Sequence, residues 1–420
     1  MRYYLGALLG VVLLVIPWFA FNYPEEAKGV FSFMRNTGEQ LAAVILAHKP
    51  KTVADIQSHY DSTSMQPQKR VRILVMPGHE PAYGGAEYGD LKERDMTVEL
   101  GQDLAAFLRG NSHYDVVVAR DQNDWLPDLA NYFKYRWNDI IDWQKASHAE
   151  ESHLIAVGST TAASPKVYHN SAPLDVALRL YGITKWANEN DIDITLHIHF
   201  NDYPGHPRGS PGKYSGFAIY VPASQYGNSV TTKTIADTVF KRLSKYNAVS
   251  DFPGESTGIV DEPDLIAVGA DNTADSASML LEYGYIYEEQ FTDPALRSAA
   301  LRDLAFQTYL GLQDFFDPHN AVNTSGSIGT LLVPTAWTTN VNASNPSYNV
   351  FALQTALISD GVYPPGGKSK NDCPRSGNFG PCTKEALQSF QDKYGIVGES
   401  GVVGPKTLDE LNSLYRVKAL

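Results

Sequence analysis

The chain has 420 residues, 43% apolar and 19% charged, with a net charge of −13 at pH 7. That length suits two or three domains, and the apolar share is ample for a packed core, which excludes a disordered chain. The acidic balance offers no basic surplus to displace phosphate counterions, so nucleic acid is not an expected partner, and neither is a polybasic membrane-surface mode.

Met1-Arg2 precede YYLGALLGVVLLVIPWFAF, an uncharged stretch about as long as a bilayer is thick. Residues 1–22 therefore read as a signal anchor or a signal peptide, and the membrane is an expected partner through this segment. No small-x-small cleavage site follows directly; the next residues are Asn22-Tyr23-Pro24-Glu25. Either reading exports the remainder to the cell envelope, membrane-anchored or secreted. Residues 23–69 read as a stalk, polar and turn-rich in SHYDSTSMQPQKR.

Residues 70–316 alternate aliphatic runs (RILVM, DVVVA, ITLHIHF, GFAIYV, SMLLEYGYI) with helical patterns such as MTVELGQDLAAFLRG and TKTIADTVFKRLSKY. Strands alternating with helices predict an α/β fold with a central, mostly parallel sheet flanked by helices. Residues 317–347 are rich in Ser, Thr, Asn and Pro and read as a linker, with Trp337 among the residues apolar enough to pack on the body. Residues 348–420 carry a compact helical pattern, expected as a small three-helix domain. A short motif recurs there, GNFGPCTKEAL and GVVGPKTLDEL, whose Thr383 and Thr407 read as N-caps of the helices they open. The two cysteines, Cys373 and Cys382, stand nine positions apart; in an exported chain they are expected to form one disulfide.

Three separated clusters of acids and imidazoles lie at the ends of these runs. His79 and Glu80 follow VRILVMPG, with Glu93 at the start of the next helix; His197 and His199 lie in DIDITLHIHFND; Glu282 lies in SMLLEYGYIYEE. A catalytic zinc takes about three imidazole or carboxylate ligands and keeps one position for water. Open α/β sheets place their sites at the carboxyl edge of the strands. His197 and His199 share one strand face, so periodicity leaves both as candidates. A carboxylate ending a buried strand, as at Glu282, is desolvated and suits a general acid or base.

Several motifs together carry a resemblance. Pro77-Gly78-His79, Gly84-Gly85, Gly89 and Glu93 are followed by Val118-Ala119-Arg120, then Trp186-Ala187-Asn188, His199-Phe200-Asn201 and Leu281-Glu282-Tyr283-Gly284. In this order they resemble the zinc-dependent N-acetylmuramoyl-L-alanine amidases of the Amidase_3 type, over about residues 70–316. The resemblance implies Zn2+ held by His79, Glu93 and His199, Glu282 as catalytic acid/base, and Arg120 and Asn201 in support. It favours His199 over His197 because Asn201 stands at the right offset. It implies hydrolysis of the amide between N-acetylmuramic acid and L-alanine, with peptidoglycan as partner. Glu80-Pro81 replaces the family's Gly-Gly after the first histidine, which leaves Glu80 and Glu87 as rival ligands to Glu93. Residues 125–178 form an insertion. The alternatives are a zinc peptidase acting on wall peptides and a catalytically inactive, wall-binding relative. The C-terminal region resembles the three-helix peptidoglycan-binding domain of the PG_binding_1 type, through Leu353-Gln354-x-x-Leu357, Gly377-Asn378-Phe379-Gly380, Phe390-Gln391 and Gly401-Val402-Val403-Gly404-Pro405-x-Thr407.

Overall fold

The computed structural model describes residues 49–61, 69–318 except 163, 170, 204, 205 and 208, then 337, 341 and 346–415. The apolar segment 1–22 and most of the linker 317–347 lie outside the described residues. Among the described residues no helix is long and apolar enough to cross a membrane.

In chain order the body runs α1 (Val53–Asp61), β1 (Val71–Pro77), β2 (Glu87–Tyr88), β3 (Leu91–Lys92), α2 (Glu93–Arg109), β4 (Tyr114–Val118), α3 (Pro127–Tyr135), α4 (Trp137–Ala156), α5 (Leu174–Glu189), β5 (Ile194–Asn201), β6 (Ala218–Pro222), α6 (Ser229–Tyr246), β7 (Ile259–Glu262), β8 (Ala277–Tyr285), α7 (Glu289–Thr292) and α8 (Pro294–Phe316). Six strands form one sheet in the order β4-β1-β5-β8-β6-β7. Neighbours are parallel except β6 against β8. This is the mostly parallel, helix-flanked α/β fold that the alternation of strand and helix patterns predicts.

The central strands are apolar on both faces because both faces are covered. Ile73, Val75, Ile194, Leu196, Ile198, Met279 and Leu281 point to one side and pack on α2, α6 and α8. Met96, Leu100, Leu104 and Leu108 recur every four residues along α2 and supply its buried stripe. Leu74 and Met76 face the other side, against Leu129 of α3, Ile140 of α4 and Leu178 and Ile183 of α5. Residues 125–178, expected as an insertion, therefore contribute α3, α4 and the start of α5 to this second layer.

The expected stalk over 23–69 is corrected for residues 49–61, which pack into the body. Ile56 is fully buried in the main core, and Tyr60 stacks on Phe316 with ring centroids 4.6 Å apart. His59 Nδ1 lies 3.0 Å from Asp193 Oδ1. Ile56 and Tyr60 are one helical turn apart, a single apolar stripe within an otherwise polar segment.

The C-terminal region consists of α9 (Tyr348–Ser359), α10 (Pro381–Lys393) and α11 (Pro405–Tyr415). The Cys373–Cys382 disulfide is present. The N-cap role expected for Thr383 and Thr407 is not what the structure has. Pro381 and Pro405 open the helices, so each threonine sits inside the first turn and is buried. Each hydroxyl instead accepts from a glutamine of the preceding helix: Gln354 Nε2 to Thr383 Oγ1 at 3.0 Å, Gln391 Nε2 to Thr407 Oγ1 at 2.8 Å. The same glutamines accept from Gly377 N and Gly401 N at 2.9 and 2.8 Å. The recurring motif is thus one buried glutamine lock used twice.

Candidate metal centre

β1 ends at Pro77, and Gly78 lets the chain turn at the carboxyl edge of the sheet. A side chain at Gly78 would meet the His199 ring, since its Cβ would stand 2.4 Å from Cε1. His79 follows with φ +67°, in the left-handed region that non-glycine residues seldom occupy and that recurs at functional sites. Arg120, nearly fully buried, holds this turn. Its Nε donates to Pro77 O at 3.1 Å, and its Nη2 donates to Gly78 O and, at 2.9 Å, to Arg94 O. Burial pushes its guanidinium down to about 10, against the pull of Asp95, Glu80 and Glu93.

Glu93 begins α2 and turns its carboxylate inward. Oε2 accepts from Ala86 N at 2.8 Å and Oε1 from Phe200 N at 3.0 Å. His79 Nε2 stands 2.8 Å from Oε2, and His199 Nδ1 stands 3.0 Å from Oε1. One ligand atom from each of His79, Glu93 and His199 lies within 4.8 Å of the others. Burial alone would raise the Glu93 carboxyl, but His79 and His199 outweigh it and hold it well below the usual range. Burial likewise pushes the His199 imidazole down, opposed by its bond to Glu93. His79 Nε2 is buried and, despite its nearness to Glu93, lacks the alignment of a hydrogen bond. An orphaned imidazole nitrogen facing a carboxylate and a second imidazole fits a metal ion as the missing partner.

Glu282 stands in register with His199 on the neighbouring strand, so the two side chains share a face at the sheet edge. Its Oε2 is buried without a hydrogen bond. Burial first, then the nearby charges of Glu93 and Glu255, raise its carboxyl well above the ordinary value.

The rival residues lie elsewhere. Glu80 accepts from Arg179 Nε at 2.6 Å and Trp125 Nε1 at 3.2 Å. Glu87, on β2, pairs with Arg94 at 2.9 Å. His197 shares the face of His199 but lies one pleat deeper, in register with Met76 and Leu280, where burial, then His199, drives its imidazole down to about 3. Asn201 follows an irregularity in the β5–β8 register and donates to Glu255 Oε1 at 2.8 Å.

Glu255 is a residue that sequence reading missed. Its buried carboxylate also accepts from Tyr220 OH at 2.5 Å, Tyr285 OH at 3.2 Å and the Ser250 hydroxyl. It thereby ties together the strands that carry His199 and Glu282. Nothing in DFPGESTG marks it, because its partners are spread from residue 201 to residue 285.

No curated protein matches the chain. Among solved structures, it is similar to the CwlD amidase of Clostridioides difficile, solved with the GerS lipoprotein, at 15% identity and TM-score 0.39, over 59% of this chain and 100% of that one. It is also similar to the N-acetylmuramyl-L-alanine amidase Ami1 of Mycobacterium smegmatis, at 14% identity and TM-score 0.39, over 59% and 98%. A third similar structure is the amidase AmiC2 of Nostoc punctiforme, at 15% identity and TM-score 0.35, over 58% and 96%. Residues 346–411, which hold α9, α10, the first part of α11 and the doubled glutamine lock, match the family described as "Putative peptidoglycan binding domain".

Proposed function

We propose that the protein is a zinc-dependent N-acetylmuramoyl-L-alanine amidase of the cell envelope. The supporting observation is that one chain pairs a partly buried His79–Glu93–His199 donor set with a region that matches a peptidoglycan-binding family. His79, Glu93 and His199 are the residues that would hold the ion. When bound, zinc polarises an amide carbonyl and brings the pKa of water down to about 7.

The chain's own residues supply the remaining chemistry. Glu282, beside His199, accepts the proton of the attacking water and passes it to the L-alanine amine as the C–N bond breaks. A carboxyl with raised proton affinity suits that two-step role. Arg120 fixes the His79 turn, and Asn201, held by Glu255, fixes the segment after His199. The engagement of Glu80 by Arg179 and Trp125, and of Glu87 by Arg94, supports Glu93 in the carboxylate role. Export through residues 1–22, and attachment to the membrane there, belong to the same reading.

Purified peptidoglycan treated with the zinc-loaded chain should release stem peptides that begin at L-alanine, detected by mass spectrometry. Glu282→Ala should slow release by roughly 10²–10⁴-fold and retain zinc. Fragments that keep the lactyl amide intact, or no release from a zinc-loaded chain that sediments with the wall, would sink the reading.

A further inference from the structure

A cavity of about 590 Å³ opens beside the metal-binding group, with His79 and His199 at its border. That volume lies within the ~300–1,000 Å³ of pockets that enclose drug-sized ligands. Its lining is mostly apolar: Met76 and Leu280 from the sheet, Leu180 and Ile183 from α5, Val167 from the segment between α4 and α5, and Trp125.

Some polar side chains in that lining engage one another, while His197, between Met76 and Leu280, and Ser171 and Asp264 also border the cavity. Glu80 is bonded by Arg179 and Trp125, and Arg179 also donates to Asp175 and to Tyr83 at 2.7 Å. His169 packs edge-on to Tyr220 with centroids 5.0 Å apart, and its buried Nε2 faces the buried Glu262 Oε2 at 3.9 Å. A ligand reaching past the metal group therefore meets mostly hydrocarbon, with few donors and acceptors. The substituents nearest the scissile bond of a muramoyl-alanine amide are two methyl groups, far too small to fill such a space.

The geometry points to an apolar subsite, continuous with the metal centre, that receives an unbranched aliphatic chain carried next to a metal-bound amide or hydroxamate. The substrate class it admits is amides extended by several carbons on one side of the scissile bond. The inference rests on the metal centre of the proposed function but not on the wall as substrate. Its energetic basis is burial of methylene groups against Met76, Leu180, Ile183 and Leu280.

Acetohydroxamate, butanohydroxamate, hexanohydroxamate and octanohydroxamate would be titrated calorimetrically into the zinc-loaded full chain. Affinity is expected to rise about fourfold per methylene, the ratio that corresponds to about 0.8 kcal/mol. Ala177→Trp, which places an indole in the cavity, should abolish the gain with length. Leu180→Trp serves the same purpose if the first variant fails to fold, as judged by thermal melting. Acetohydroxamate binding with no gain along the series would overturn the subsite and leave the metal centre standing. A gain that persists in a folded, filled variant would also overturn it, because the tail would then lie elsewhere. Absence of both zinc and hydroxamate binding would remove the metal centre and the subsite together.

Discussion

Glu93 shows how much one side chain is asked to do at this edge. Its two oxygens accept from Ala86 N and Phe200 N and also face two imidazoles. Glu93→Gln keeps the shape but removes the charge. Zinc affinity, measured by competition with a chromogenic chelator, should fall by more than the ~10–100-fold typical of an outer-shell partner. Gly78→Ala tests the same centre by sterics alone: its Cβ would displace the His199 ring, so zinc should be lost while circular dichroism is unchanged. Glu262 gives a pH prediction. Burial pushes its carboxyl up to about 7 from an ordinary 4.5. The folded state then binds more protons than the unfolded one between those values, so its contribution to stability is present below pH 4.5 and is lost as pH rises toward 7. Urea midpoints of the metal-free chain should fall over that window, and Glu262→Gln should flatten the fall.

At the scale of elements, β5 and β8 carry His199 and Glu282, and Glu255 keeps their ends in place. Glu255→Ala would strand the donors of Asn201, Tyr220, Ser250 and Tyr285. Each buried unpaired group costs about 1–3 kcal/mol, so a loss of at least about 3 kcal/mol in urea unfolding is expected. The doubled glutamine lock shows what an element-level pattern conveys. The repeat Gly-x-x-Gly-Pro-x-Thr is plain in the sequence, and so are the helices it opens. The role of the threonine is not, because a residue three positions into a helix and one at its cap differ only in where the chain bends. Proline at the first helical position settles that, and the hydroxyl then turns inward to Gln354 or Gln391.

At the scale of the molecule, the C-terminal region is docked on the body rather than merely tethered. Arg375 enters between α6 and α8, paired with the buried Asp303 and bonded to Asn247 Oδ1 at 2.9 Å. Its guanidinium lies 4.2 Å from the Phe351 ring and 5.5 Å from that of Tyr246. Arg375→Ala leaves Asp303 buried without its cation and should cost about 3–5 kcal/mol. Arg375→Met with Asp303→Leu, which removes both charges, should recover most of that loss. Denaturant unfolding of the three chains checks both outcomes.

The α/β alternation, the helical C-terminal region and the chain order of His79, Glu93, His199 and Glu282 were legible in the sequence because each is written in short patterns: a period of two or of about 3.6, a glycine turn, an acid at a strand end. Periodicity alone did not decide among similar residues. His197 and His199 have the same parity on one strand; the resemblance favours His199 through Asn201, and the depth of each along the sheet separates a buried imidazole from one at the edge. Glu80 and Glu93 are both acids near the first turn, and Arg179, 99 residues from Glu80, engages one of them. Glu255, Arg375 and the packing of α1 went unread for the same reason. Their partners are far away in the chain, and a charge or hydroxyl acquires its role only when folding removes water from it and brings a distant group within about 3 Å.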